Sequence, residues 1–103
     1  MFIVLTTCGS RKEAERLARE AVSRKLAGCV QILPQIESFY EWKGKISNDK
    51  ELLLVCKTTR EKYPSLERFL SQEHSYDVPE IVAIESSKVS ESYHEWLKGV
   101  LAG

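Results

Sequence analysis

The spacing of hydrophobic positions changes along this chain, and each spacing predicts a different element. The apolar run Phe2–Thr7 is typical of a strand, which the segment Cys8–Ser10 interrupts. Ser10 and Glu13 then form an S-x-x-E capping box. Apolar residues follow at intervals of three and four: Ala14, Leu17, Ala18, Ala21, Val22 and Leu26. We therefore predict a strand and then an amphipathic helix that ends at Gly28.

After Cys29 the hydrophobic positions alternate with polar ones, as in a half-buried strand. The alternating apolar residues are Val30, Ile32, Ile36, Tyr40 and Trp42. Pro34 predicts a bulge or bend, because proline has no N–H to donate to a neighbouring strand. Gly44 supplies a turn residue, and the strand that follows becomes wholly apolar at Leu52–Cys56. Together the two runs predict a long β-hairpin.

Two more helices and one more strand are predicted in the second half of the chain. Thr58 or Thr59 is placed to cap a helix, a polar loop is expected at 71–79, and Ser90 is placed to cap the last helix. The apolar stripes are Tyr63, Leu66, Phe69 and Leu70 in the first helix, and Tyr93, Trp96, Leu97, Val100 and Leu101 in the last. The run Ile81–Ile84 predicts a buried strand between them.

The order of these elements is β-α-β-β-α-β with a C-terminal helix, which is the split βαβ pattern of ferredoxin-like folds. Right-handed crossovers fold that order into a four-stranded antiparallel sheet. We therefore predict an α+β, ferredoxin-like fold with a long hairpin between the second and third strands. A length of 103 residues fits a single domain over 1–103.

The arms of the predicted hairpin, residues 30–42 and 45–58, are long for a compact subunit. Each arm spans roughly 40 Å at about 3.3 Å per residue, whereas a 100-residue globule with a radius of gyration of about 13 Å is about 33 Å across. The tip should therefore overhang, and its apolar residues are Ile36, Phe39, Tyr40, Trp42 and Ile46. We expect self-association to cover them. The alternative is that Pro34 folds the hairpin back onto its own subunit.

Composition limits the kinds of partner and the cellular compartment that we expect for this chain. Fifteen Lys and Arg balance fifteen Asp and Glu, so the formal net charge of zero gives no overall attraction to nucleic acid or to an anionic membrane. The longest apolar run is far shorter than the roughly 20 residues of a membrane-spanning helix, and Met1–Leu5 is expected to be strand rather than a leader. Cys8, Cys29 and Cys56 are widely spaced, so we expect free thiols and a cytoplasmic protein.

The polar segment Glu73–Glu80 is the best local candidate for chemistry, since it lies on a connection and concentrates groups that bind or titrate. His74 is either a metal ligand or a hydrogen-bonding residue of the loop. Antiparallel pairing is expected to bring Cys29 and Cys56 to one end of the hairpin, where thiolates and an imidazole suit Cu(I) or Zn(II). The alternative for both cysteines is a small hydrophobic side chain in the core.

Other candidate sites lie on the hairpin and at the first helix. Tyr40, Trp42 and Lys57 are placed either to line a pocket or to belong to an interface. The predicted helix start after Cys8 presents free amide groups that favour an anion, although capping alone explains Ser10.

Five segments of the chain resemble the CutA family of divalent-cation tolerance proteins. They are Leu26–Val30, Ser38–Ile46, Lys57–Thr59, His74–Ile81 and Tyr93–Leu97. The resemblance runs from the first strand to the last helix. It implies a homotrimer of ferredoxin-like subunits whose long hairpins pair between neighbours. It also implies a role in tolerance of copper and other divalent metals, without an established enzymatic reaction.

The resemblance also implies metal ligands. Copper ligands proposed in bacterial relatives correspond to Thr6, Glu73 and His74 of this sequence, and only His74 is the matching residue type. Cys29 matches a cysteine of the family. The expected metal site is therefore His74, Glu73 and Cys29, holding copper or another divalent cation weakly.

A second hypothesis comes from a different class, the PII-like signalling modules, which this chain also resembles in its predicted fold. Such a module would bind a small anionic effector in clefts between subunits. The residues placed to line the cleft are Tyr40, Trp42, Lys57, His74, Tyr76 and Glu80. A third hypothesis, hydrolysis of acyl phosphates, has only Gly9 and Arg11 to support it. We expect a non-enzymatic protein whose partners are copies of itself and divalent metal ions.

Overall fold

The computed structural model describes residues 1–103 as three helices and four strands. The elements are β1 (Phe2–Cys8), α1 (Arg11–Ser23), β2 (Cys29–Trp42), β3 (Lys45–Thr58), α2 (Tyr63–Glu73), β4 (Val82–Glu85) and α3 (Glu91–Leu101). The strands form one antiparallel sheet in the order β2-β3-β1-β4. This confirms the predicted α+β, ferredoxin-like order with its long hairpin. None of the helices has the length and hydrophobicity needed to cross a membrane.

The main core lies between the sheet and helices α1 and α2. Alternate residues of the two central strands point into it, and Val4, Cys8, Leu54 and Cys56 have almost no exposed surface. The two helices contribute Ala14, Leu17, Ala21, Leu66, Phe69 and Leu70. Each fully buried leucine contributes about 2 kcal/mol through removal of its surface from water. The core therefore fixes β1 firmly, and the candidate site lies at its edge, where β1 ends.

Helix α1 begins as predicted but ends five residues earlier than the glycine at 28. The Ser10 hydroxyl accepts a hydrogen bond from the Glu13 N–H at 3.2 Å, which confirms the N-cap. At the other end Lys25 adopts φ 59°, and the Leu26 N–H donates to the Ala21 carbonyl at 2.9 Å. This is a Schellman-type end, which normally has glycine at the left-handed position. The predicted end at Gly28 is wrong because a lysine takes that conformation first.

Strand β4 is exposed rather than buried. Val82 and Ile84 are 47% and 49% exposed, because β4 pairs only with β1 and forms one edge of the sheet. The polar loop before β4 is also shorter than predicted, since α2 continues to Glu73. Thr59 caps the turn before α2, and its hydroxyl accepts from the Lys62 N–H at 3.3 Å.

Helix α3 packs beside the start of β2 through part of its predicted stripe. Its cap is confirmed, because the Ser90 hydroxyl accepts from the Tyr93 N–H at 3.3 Å. Leu97 and Leu101 are buried and Tyr93 is partly buried, whereas Trp96 and Val100 are exposed. A Cβ at Gly28 would lie 2.4 Å from Cδ1 of Leu97. The glycine therefore allows α3 to approach the backbone closely.

The β2–β3 hairpin overhangs the rest of the subunit, as predicted. β1 pairs with β3 only from Leu52 to Thr58, so the remainder of β3 pairs with β2 alone. The molecule is accordingly elongated, with extents of 45 × 26 × 22 Å. Near the tip, Phe39 and Ile46 are 70% and 76% exposed. The alternative of a hairpin folded back at Pro34 is wrong, because pairing resumes after a bulge and continues to the turn.

Candidate functional site

A groove of about 710 Å³ lies between the hairpin and the segment 76–80. Its walls include Tyr40, Trp42, Asp49, Glu51, Tyr76 and Glu80. Four of the six residues predicted to line a cleft are therefore brought together, and Lys57 and His74 are not among the groove residues. The Lys57 ammonium donates to Oε1 of Gln31 at 2.6 Å, further along the sheet.

The hairpin wall of the groove follows from the register of the two strands. Ser38 pairs with Asp49, and Trp42 pairs with Lys45. Since side chains alternate between the faces of a strand, Ser38, Tyr40 and Trp42 share one face. The Tyr40 hydroxyl donates to a carboxylate oxygen of Asp49, which fixes the ring against the strand. Tyr40 and Trp42 remain 42% and 62% exposed, so their rings are accessible from the groove.

Glu51 joins the two walls of the groove. It is only 9% exposed, and each carboxylate oxygen accepts a hydrogen bond. Ser38 Oγ donates to Oε1 at 2.6 Å, and Tyr76 Oη donates to Oε2 at 2.8 Å. Burial and the hydrogen bond to Glu51 raise the pKa of the Tyr76 hydroxyl. Gly9 makes room for this ring, because a Cβ there would lie 3.0 Å from Tyr76 Oη.

His74 lies behind the groove with no exposed side-chain surface. Its Nε2 is 2.7 Å from the Thr7 carbonyl, which only accepts, and its Nδ1 accepts from the Tyr76 N–H at 3.1 Å. The ring is therefore the neutral Nε2–H tautomer with both nitrogens used. A metal ion would have to displace one of these hydrogen bonds. The structure thus favours the hydrogen-bonding hypothesis for His74, as a buried residue.

The segment 73–75 is tied to α1 by polar contacts that sequence analysis missed. The Glu13 carboxylate accepts from the Ser75 N–H at 2.8 Å and from Ser75 Oγ at 3.0 Å. Arg16 donates to the Glu73 carboxylate at 3.2 Å and to the Glu73 carbonyl at 2.8 Å. The sequence predicts only a capping-box role for Glu13, because nothing near it in the chain indicates a partner 62 positions away.

The structure does not bring the three predicted metal ligands together within one chain. Cys29 pairs with Lys57 on β3, whereas His74 contacts Thr7, whose partner on β3 is Leu53. Four residues along a strand separate these points by about 13 Å. Moreover, no group of three or more His, Cys, Asp and Glu side chains is arranged to hold a metal ion.

The thiols are free, as predicted. Cys29 lies next to Val30, which pairs with Cys56, so Cys29 and Cys56 point to opposite faces of the sheet. The expectation that both cysteines lie at one end of the hairpin is confirmed, but their side chains do not share a face there. Burial raises the pKa of Cys8 and of Cys56 to about 12. Only Cys29 is partly exposed.

Cys8, His74 and Glu13 form a cluster that resembles a nucleophile, a base and a carboxylate. Cys8 Sγ is 4.0 Å from Nε2 of His74, and Glu13 Oε2 is 3.7 Å from Nδ1. However, Nε2 carries the proton that it donates to Thr7, and the raised pKa keeps the Cys8 thiol protonated at neutral pH. A base with no free lone pair does not activate this thiol.

The groove is negatively charged. Four carboxylates line it, those of Asp49, Glu51, Asp77 and Glu80, and no Lys or Arg does. An anionic effector would therefore be repelled from the walls. The structure gives no support to the hypothesis of a PII-like module with an anionic ligand at this position.

Comparison with known proteins identifies relatives of similar fold and sequence. The family model described as CutA1 divalent ion tolerance protein matches residues 2–100. The divalent-cation tolerance protein CutA of Thermus thermophilus is 40% identical over 96 residues, which are 93% of this chain and 93% of that protein. Chloroplastic CutA of Arabidopsis thaliana is 43% identical over 97 residues, 94% of this chain and 53% of the relative. The chain spans about half the length of the Arabidopsis and human relatives.

Solved structures show the same fold. The crystal structure of CutA from Xylella fastidiosa is 31% identical, covers 98% of this chain and 97% of its own, and has a TM-score of 0.96. The Thermus thermophilus protein is 40% identical, with 94% and 95% coverage and a TM-score of 0.90. By its sequence match over almost the whole chain and by its fold, this chain belongs to the CutA1 divalent ion tolerance protein family.

Proposed function

We propose that this chain assembles as a homotrimer that acts in divalent-cation tolerance without catalysing a reaction. The family match over residues 2–100 supports the role in tolerance. The name of the Thermus thermophilus relative supports the same role, because the match covers 93% of each chain. The unactivated thiol of Cys8 supports a non-enzymatic function.

The main support for the proposed assembly is the overhanging hairpin with its uncovered apolar residues. Phe39 and Ile46 lie near its tip, mostly exposed. In addition, β2 and β4 are both edges of the sheet, and β4 exposes Val82 and Ile84. Unpaired apolar edges favour pairing with another chain. Pairing between copies would cover these surfaces, and three copies is the number that the resemblance implies.

The metal is proposed to be copper or another divalent cation, held weakly. Of the three predicted ligands, Cys29 is the accessible thiol, and the Glu73 carboxylate is 39% exposed beside Arg16. His74 offers no free nitrogen. We therefore expect Cys29 to dominate copper binding, because a soft metal prefers thiolate over carboxylate. The cytoplasmic location expected from the free thiols stays a prediction.

Equilibrium dialysis against copper under reducing conditions tests the metal part of this proposal. We expect the wild type to bind copper weakly, Cys29→Ser to lose most of that binding, and His74→Gln to keep it. Glu61→Gln, on an exposed carboxylate far from the thiol in the sequence, is the control. Equal copper binding by wild type and Cys29→Ser would contradict the assignment. A single-chain mass in light scattering at micromolar concentration would contradict the assembly.

A further inference from the structure

We propose that the segment 74–80 is a strap that covers the thiol of Cys8 and opens without unfolding of the rest of the chain. Cys8 is the last residue of β1 and has no exposed surface. Its Sγ lies 4.0 Å from Nε2 of His74, where the strap begins. Opening of the strap gives thiol-reactive compounds access to Cys8, which the closed form prevents. This inference goes beyond the proposed role in metal tolerance and does not depend on it.

Two rings of the strap lie over the end of β1. The His74 side chain is fully buried, and its ring centroid is 4.7 Å from that of Tyr76. Tyr76 in turn lies against the residue that follows Cys8, because a Cβ at Gly9 would be 3.0 Å from Tyr76 Oη. The end of the core at Cys8 is therefore closed by the strap and not by a helix or a strand.

Polar side-chain contacts, rather than backbone pairing, hold the strap in place. Residues 75–80 make no backbone-to-backbone hydrogen bond. Instead the Glu13 carboxylate accepts from the N–H and the hydroxyl of Ser75, and Tyr76 Oη donates to the Glu51 carboxylate. Segments with few backbone hydrogen bonds and few buried apolar contacts open at a lower free energy than the whole molecule. The strap meets both conditions.

The ends of the strap are fixed, so that opening moves this segment alone. At one end the carbonyl and the carboxylate of Glu73 accept hydrogen bonds from Arg16. At the other end Ile81 packs against the core. Between them Val78 is 90% exposed and adds little burial. The contacts with α1 also lie on an element that forms neither an edge of the sheet nor the hairpin tip, where we expect copies to associate.

Cys56 provides an internal reference for global unfolding. It has no exposed surface either, but it lies in the middle of the sheet, where it pairs with Val4 on β1 and with Val30 on β2. Burial raises the pKa of both thiols to about 12, so the closed form protects both from reaction. Exposure of Cys56 requires the central strands to separate from the helices. A difference in rate between the two thiols therefore measures the opening of the strap.

Alkylation with iodoacetamide tests the proposal on the full chain at a concentration at which it is assembled. Cys29→Ser first removes the partly exposed thiol, and peptide mass spectrometry then locates each adduct. In this background we expect Cys8 to react more than about tenfold faster than Cys56. The rate at Cys8 should also depend less on urea, because a local opening exposes less surface than global unfolding.

Two substitutions should loosen the strap. Glu13→Ala removes the acceptor of both Ser75 hydrogen bonds and should raise the ratio of the Cys8 rate to the Cys56 rate about tenfold. Ser75→Ala leaves α1 unchanged and should raise the same ratio about threefold, because one hydrogen bond is lost. Glu15→Ala is the matched control, since Glu15 pairs only with Arg11 on the same helix. The ratio corrects for any change in global stability.

Three results would overturn the proposal. The first is an equal rate at Cys8 and Cys56, whether because the strap opens only on global unfolding or because a second copy holds it closed. The second is a ratio that Ser75→Ala leaves unchanged, since fraying of β1 would then expose Cys8. The third is an equal effect of Glu13→Ala and Glu15→Ala. Light scattering checks the assembly of each variant, and if Glu13→Ala changes the mass, Ser75→Ala decides.

Discussion

At the scale of single residues, Glu51 determines whether the groove holds its shape. A carboxylate removed from water costs several kcal/mol unless hydrogen bonds compensate it. Glu51 has two such bonds, one from Ser38 on the hairpin and one from Tyr76 on the opposite wall. The overhanging part of β3 has no neighbouring β1 residue to pair with. The hydrogen bond between Glu51 and Tyr76 therefore links this part of the hairpin to the segment after α2.

Replacing Glu51 should destabilise the fold and show coupling to Tyr76. We expect Glu51→Ala to lower the free energy of unfolding by about 2 kcal/mol, because two hydroxyl groups lose a charged acceptor. Tyr76→Phe should cost about 1 kcal/mol, and the double variant less than the sum, since the two residues share one hydrogen bond. Urea denaturation at fixed protein concentration measures all three. Glu61→Ala, on an exposed carboxylate, is the control, and additive effects would show that Glu51 and Tyr76 do not interact.

At the scale of elements, the end of α1 shows how a helix stops without glycine. Lys25 takes the left-handed conformation at φ 59°, and its N–H donates to the Val22 carbonyl at 3.0 Å. For a residue with a Cβ, the left-handed conformation costs about 1 kcal/mol. The turn nevertheless forms there, because it carries Leu26 and Ala27 onto the core. Tertiary packing therefore overrides the local preference.

Lys25→Gly should stabilise the protein. Glycine removes the strain of the left-handed residue, and after allowing for its greater freedom in the unfolded chain we expect a gain of about 0.5 kcal/mol. The lost contact from Nζ to the Ala102 carbonyl is exposed and contributes little. Thermal and urea unfolding measure the change. As a control, Arg19→Gly in the exposed interior of α1 should destabilise by about 1 kcal/mol. A loss of stability in Lys25→Gly would mean that the lysine side chain matters more than its backbone.

The order of elements was predictable because each hydrophobic spacing matched one type of element. The caps at Ser10 and Ser90 were also predictable, because capping depends only on nearby residues. Each serine hydroxyl accepts a hydrogen bond from the N–H three residues ahead. The burial of β4 was not predictable. An apolar run such as Val82–Ile84 has the same composition in a central strand and at an edge, and only the strand order decides.

At the scale of the whole molecule, the candidate site was predictable in part. Alternation along β2 placed Tyr40 and Trp42 on one face, and both line the groove. Lys57 does not line this groove, because its ammonium contacts Gln31 further along the sheet, and its place in a cleft between subunits stays a prediction. Asp49 and Glu51 were missed, since carboxylates on a predicted hairpin have no local feature that separates a binding wall from a solvated surface. Their role follows from the segment after α2, which is distant in sequence.

The overhanging hairpin makes self-association testable with one substitution. If copies cover the tip, Ile46→Lys should reduce the mass from three chains to one at micromolar concentration, because burying an unpaired ammonium in an apolar interface is costly. Val22→Lys is the matched control, since Val22 is an exposed aliphatic residue on α1. Light scattering measures both masses, and circular dichroism checks that both variants fold. If Ile46→Lys still forms a trimer, the interface does not include this side of the tip. The edge strands β2 and β4 would then be the remaining surfaces through which copies could pair. The length of the hairpin would then need a different explanation, since its apolar tip would face water in the assembly as it does in the single chain.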